Sequence, residues 1–199
     1  VGQSLVGPRL IQQPTGAAKG TLTQKTSWPR PICWRSQKAT KEIFMFKCSE
    51  TYCSNCQTRD LGLCHMISDH TRRQLALSGH IQSCAANRVI WDEGSDPNFT
   101  AILVSGYLRL QRYGIDGRRQ ILCLFTPGDF VGGPKSWGAG YSVEASVNAQ
   151  LCRLDSRTFE DMMETDGELR RTVYLLRSAK LDQLRWLTCL LGALAAEER

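Results

Sequence analysis

The stretch CSNCQTRDLGLC sets Cys53, Cys56 and Cys64 within twelve residues, with Cys48 just upstream. Thiols crowded at this spacing among Ser, Asn, Gln, Thr and Gly suit a loop that wraps a thiophilic centre. Thiolates are soft ligands, so the candidates are zinc and an iron–sulfur cluster. Either would need a fourth ligand from elsewhere in the fold. A thiol–disulfide switch through Cys48, Cys53 or Cys56 needs no metal and stands as the other chemistry.

The remaining cysteines, Cys33, Cys84, Cys123, Cys152 and Cys189, are scattered, and each reads by default as a small core hydrophobe. Nine cysteines with no export signal suit a reducing compartment better than a disulfide framework. A cysteine nucleophile would want a positioned histidine. His65, His70 and His80 lie at the edge of the cysteine stretch and around the helix after it, as surface or packing residues. The chain carries no phosphate-cradling loop, dinucleotide fingerprint or HExxH motif. These features predict no enzyme.

The net charge of +6 is confined to residues 1–44, and the remainder balances to zero. The folded part therefore has no basic bias towards nucleic acid. No apolar run is long enough for a membrane span, and a cytoplasmic protein is expected. Residues 1–44 have no sustained period and are predicted to be disordered. The chain begins with Val and its first methionine is Met45. The expectation is that 1–44 is upstream sequence and the natural protein starts at Met45, with a basic arm as the rival.

The elements that must position the cysteines follow. Residues 45–66 form the cysteine-rich loop. ISDHTRRQLAL (67–77), capped by Ser68 or Asp69, predicts a short helix. From His80 to Leu154 short apolar runs alternate with Gly and Pro turns. They include Val89–Trp91, Ala101–Val104, Tyr107–Tyr113, the GIDG hairpin, Gln120–Phe125, the TPGD turn, Tyr141–Val147 and Gln150–Leu154. Such a series predicts an antiparallel sandwich or jelly-roll barrel over 67–165, with flanking helices. Asp155–Met163 reads as a capped helix. A long helix over 166–199 carries a seam of Leu169, Val173, Leu176, Lys180, Leu184, Leu187, Leu191 and Leu194, interrupted by Lys180. Leu175, Leu181 and Leu190 add a second stripe. Its length and apolar surface predict a dimer seam.

The cysteine leader, SGYLRL with its hairpin and LFTPGDFVG, and the terminal AEER resemble the Crp/Fnr family of bacterial transcription regulators over residues 53–199. The resemblance implies a double-stranded β-helix barrel of cyclic-nucleotide-binding type followed by a dimerisation helix. It also implies that the chain stops before a helix-turn-helix domain. The CxxC, seven-residue gap and Cys are similar to the Fnr branch, whose members carry an oxygen-sensing [4Fe–4S] cluster. On that resemblance the fourth ligand lies on the strand before the helix, in AQLCRLDSRTFEDM, which matches Cys152. Cys123 in ILCLF does not match.

The implied ligand set is Cys53, Cys56, Cys64 and Cys152, with Cys48 the main rival member. The implied partners are a second copy through the 169–194 helix, and DNA and RNA polymerase only for the full-length protein. In the family, loss of the cluster in oxygen abolishes dimerisation and DNA binding. The cassette GDFVGGPKSWGAGYSVEASV has no glycine–glutamate step and no Arg-Ser pair, with Lys135 its only basic residue, so no cyclic nucleotide is expected. Structural zinc would use the same thiols, although zinc ribbons usually show a second CxxC.

Overall fold

The computed structural model describes residues 44–95, 97–132 and 140–193, with only the backbone at Leu191. The expectations for residues 1–43, for Lys135 and for Leu194 onward lie outside these residues. In chain order the elements are β1 (Met45–Lys47), α1 (Glu50–Ser54), α2 (Gly62–Met66), α3 (Asp69–Ser78), β2 (His80–Cys84), β3 (Val89–Trp91) and β4 (Phe99–Ser105). They continue with β5 (Leu108–Tyr113), β6 (Arg119–Phe125), β7 (Phe130–Val131), β8 (Ser142–Ala145), β9 (Ala149–Asp155), α4 (Ser156–Thr165) and α5 (Gly167–Ala193).

The strands form two antiparallel sheets in the orders β1-β2-β9-β4-β7 and β3-β8-β5-β6. Alternation decides which side chains lie between them. Leu108 and Leu110 of β5 point inward, while Arg109 of the same strand pairs with Glu144. Trp91, Phe99, Leu103, Phe125, Val143 and Leu151 complete the interior. Fully burying each such Leu contributes roughly 1.5–3 kcal/mol. The hairpin expected at GIDG is present, closed by Gly114 N–H to the Arg118 carbonyl (2.9 Å), with Gly117 at φ +76.

The expected jelly-roll-like barrel with a long helix after it is therefore what the chain folds into. Three expectations differ in detail. β1 and the pairing of β2 were not foreseen, and the cysteine stretch holds two short helices rather than only loop. Cys84 and Cys123 are buried as expected of core thiols, whereas Cys189 is exposed on α5.

A second apolar layer covers the outer face of the β9 sheet. Leu63 of α2, Ile67, Leu75 of α3, Ile102, Leu154, Phe159 of α4, and Leu169 and Val173 of α5 pack together there. The cysteine loop and the start of α5 thus share one core. Asp166 sets where α5 begins. Its carboxylate accepts from the backbone N–H groups of Glu168 and Leu169, both at 3.0 Å, and from the Thr71 hydroxyl of α3 at 2.5 Å.

These bonds, the Thr71 hydroxyl first, hold the Asp166 carboxyl below its usual range. A lowered carboxyl adds stability that is complete above about pH 4 and disappears as pH falls through the folded value. Asp166→Ala is expected to cost about 1–2 kcal/mol at neutral pH. Urea titration at pH 7 and at about pH 3 checks this, since the difference from the parent should shrink at the lower pH.

On α5 the first part of the expected seam, from Leu169 to Leu184, faces inward. Leu169 and Val173 are buried and Leu184 packs against the barrel interior. Lys180 does not merely interrupt the seam. Its ammonium pairs with Asp129 at 2.8 Å and lies 5.3 Å from the Phe125 ring centroid, tying the helix to the barrel. The stripe left uncovered is Tyr174, Leu175, Leu181 (47% exposed) and Trp186 (64% exposed). Among the described residues no helix is long and apolar enough to cross a membrane.

Candidate metal centre

The loop cysteines are presented by small, well-capped units. Ser49, at φ −135, accepts the Tyr52 N–H through its hydroxyl and starts α1, which places Cys53 on the last turn. Asn55 ends that helix, and Cys56 follows in a turn where Arg59 N–H donates to the Cys56 carbonyl. The Cys56 sulfur lies 3.3 Å from the hydroxyl of the buried Thr58. Leu63 anchors α2 in the second core and leaves its neighbour Cys64 half-buried beside it.

Gly62 opens α2 at φ +49, against Gly128 of the Thr126–Asp129 turn. A Cβ at position 62 would lie 1.9 Å from the Gly128 carbonyl oxygen. Only glycine meets both demands at once, the left-handed backbone and the missing side chain.

The other two cysteines of the site come from the barrel side. Cys152 sits in β9 between Ile81 of β2 and Ile102 of β4. Its side chain faces outward with Leu154, into the cores that contain Cys64 and Cys53. Cys48 is buried just after β1, and its N–H donates to the Gly79 carbonyl at 2.9 Å. A Cβ at Gly79 would come within 3.2 Å of the Cys152 sulfur, so the end of α3 leaves space for that thiol. Cys123, in contrast, lies in the barrel interior among Leu110 and Phe125.

The electrostatics tie the five thiols together. Cys152 packs against the cluster that holds Cys48, and this neighbouring thiol lowers Cys48 to about 7 against the opposing effect of burial. The proximity of Cys48, then burial, raises Cys152. Burial, followed by repulsion from Cys53 and Cys56, pushes Cys64 up to about 12. Cys53 is raised by burial and by Cys48 and Cys56. Cys53, Cys64 and Cys152 thus each feel several of the other thiols. Among the described residues, however, no three His, Cys, Asp or Glu side chains are gathered as a closed metal site. His65, His70 and His80 are all exposed.

Sequence reasoning grouped Cys53, Cys56, Cys64 and, through the family resemblance, Cys152, and left Cys123 out. The fold packs Cys152 against the cores that also take in Cys64 and Cys53 and keeps Cys123 in the barrel interior. Sequence reasoning left Cys48 outside the ligand set, and the fold puts Cys48 directly on Cys152. Spacing could not reveal that contact, because β1 and β2 create it by pairing Phe46 with Ile81, which in turn pairs with Cys152. The cassette segment 133–139 lies outside the described residues. Beyond it, Glu144 is held by Arg109 and by Gln111 Nε2, the latter at 2.8 Å.

Comparison with known proteins agrees with this architecture. Residues 81–166 match the family profile of the cyclic nucleotide-binding domain. The chain is 28% identical over 147 residues to the transcriptional activator protein FnrL of Cereibacter sphaeroides, covering 74% of this chain and 59% of FnrL. It is 27% identical over 158 residues to the nitrogen fixation regulation protein FixK of Bradyrhizobium diazoefficiens, covering 79% of this chain and 66% of FixK. The solved structure of FixK2 from Bradyrhizobium japonicum has a TM-score of 0.55 at 22% identity, over 58% of either chain.

The barrel is thus a domain of the cyclic nucleotide-binding type. About three quarters of the chain is similar in sequence to the transcription regulators FnrL and FixK, and the chain spans about three fifths of the length of FnrL. Four free thiols, on α1, its following turn, α2 and β9, influence one another electrostatically, and thiolates are the donor type that iron–sulfur clusters take.

Proposed function

We propose that this chain is the sensory and dimerisation part of an Fnr-like transcription regulator, with Cys53, Cys56, Cys64 and Cys152 holding a [4Fe–4S] cluster. The observation that carries the reading is the outward aim of Cys152 from β9 towards the loop cysteines, while Cys84 and Cys123 point into the barrel. Bound there, the cluster would supply oxygen-labile chemistry.

The chain's own residues supply the link to output. Thiols held together keep α1 and α2 against the sheet. Leu63 and Ile67 then support Leu169 and Val173 at the root of α5. Thiols released in oxygen free the loop and withdraw that support, changing how α5 presents its uncovered stripe to a second copy. A few kcal/mol of coupling between the two events suffices for such a switch. Full-length protein would bind DNA and RNA polymerase in the cytoplasm, in the cluster-loaded dimer and without a cyclic nucleotide.

Sedimentation of the anaerobic protein before and after air tests the reading: a dimer that becomes monomer supports it, and one state throughout contradicts it. Leu181→Glu should give monomer even without oxygen while the thiols still take up their cofactor. Leu181 is exposed in the single chain, so the substitution should leave its stability within about 0.5 kcal/mol.

The Cys48–Cys152 contact favours a second reading, a disulfide switch that needs no metal. Its mark would be an oxidised Cys48–Cys152 peptide from protein that never held iron.

A further inference from the structure

Arg72 of α3 faces the cysteine loop, and its side chain is only 12% exposed. Its Nε donates to the Cys64 carbonyl at 2.9 Å and its Nη2 to the Ile67 carbonyl at 3.2 Å, while Nη1 pairs with Asp69. The last carbonyl groups of a helix have no partner within it, so one guanidinium fork caps the end of α2 and fixes the backbone of Cys64. A planar fork can do this and a lysine ammonium cannot.

The charge of that fork is not cancelled locally. Arg59 reaches the same Asp69 oxygen at 3.4 Å, so two guanidinium groups share one carboxylate, itself 67% exposed to water. A cleft of about 270 Å³ beside Cys53 is lined by Arg59, Arg72 and Arg73 against Glu50 and Asp69, a net positive wall.

We infer that Arg72 is a positioning residue of the cysteine site, fixing Cys64 through the carbonyl groups of α2 and supplying an excess positive charge beside the Cys53 and Cys64 sulfurs. The charge half of the inference rests on the cluster reading above, whereas the clamp half stands without it.

Two substitutions separate the halves. Arg72→Lys keeps the charge and loses the fork, and Arg72→Gln loses both. In metal-free reduced protein, Cys64 of the Arg72→Lys variant should be alkylated by iodoacetamide about ten-fold faster than in the parent, followed by peptide mass spectrometry. In anaerobically loaded protein, the reduction midpoint of Arg72→Gln should lie below that of Arg72→Lys, because the irons of a cluster held there would take up their electron without the neighbouring cation that lysine keeps.

Labelling of the Arg72→Lys variant within two-fold of the parent would overturn the inference, as would equal midpoints for the two variants. A parent that takes up no iron and sulfide refutes the cluster reading and the charge half with it. The alkylation rates then decide the clamp alone.

Discussion

Cys152→Ser protein purified without oxygen is expected to be colourless, while the parent and Cys123→Ser are brown. The two cysteines are both on barrel strands, and their alternation separates them. Cys123 faces the interior beside Leu110 and Phe125. Cys152 faces the helices, within the cores that hold Cys53 and Cys64. A serine hydroxyl is a hard donor and does not replace a thiolate on iron or zinc. Loss of one of four ligands is therefore expected to reduce bound iron and sulfide at least ten-fold. Cys123→Ser should cost only stability, about 1–3 kcal/mol for a hydroxyl in an apolar interior. Iron and sulfide assays beside the visible spectrum check the pair, and an unchanged spectrum in Cys152→Ser removes Cys152 from the ligand set.

Gly62→Ala should undo the loop without touching a thiol. Its Cβ would stand 1.9 Å from the Gly128 carbonyl oxygen, a backbone atom that cannot rotate away. The left-handed backbone at φ +49 adds about 1–2 kcal/mol for any residue with a Cβ. Relief requires α2 to lift from the Thr126–Asp129 turn, which uncovers Leu63 and Ile67. At roughly 1.5–3 kcal/mol for each, the expected loss is about 3–6 kcal/mol of loop docking. Gly117→Ala is the control, because position 117 also has a positive φ but nothing within 4 Å of its Cβ. Stability to urea should fall by only the backbone cost of about 1–2 kcal/mol in Gly117→Ala and by several kcal/mol more in Gly62→Ala, and the rate of Cys64 alkylation should rise only in Gly62→Ala. Equal behaviour of the two variants would mean that the Gly62 contact does not hold the loop.

The barrel was legible where local chemistry and burial agree. YLRLQRY, GIDG and QILCLF alternate and turn as a hairpin must, and AILV reads as a strand covered on both faces. β1 and β2 were not legible as a pair, since MFK is three residues long and HIQSC mixes polar with apolar side chains. Their partners, rather than their propensities, make them strands.

At the site, the CxxC and its third cysteine were visible from spacing, and Cys152 entered through the family resemblance. The place of Cys48 depended on a register that no spacing contains. Arg72 sits in HTRRQ, which reads as an ordinary solvated helix face. Its importance comes from the carbonyl groups that α2 brings to it. Lys180 likewise looked like a flaw in a dimer seam until Asp129 was found opposite it.

The most direct test of the cluster reading is to purify the chain under strict anaerobiosis and assay iron, acid-labile sulfide and zinc, with the visible spectrum taken before and after air. About four irons and four sulfides per chain, with a brown absorbance that fades in air, is the predicted result. Zinc without sulfide, or no metal and a Cys48–Cys152 disulfide, would contradict it.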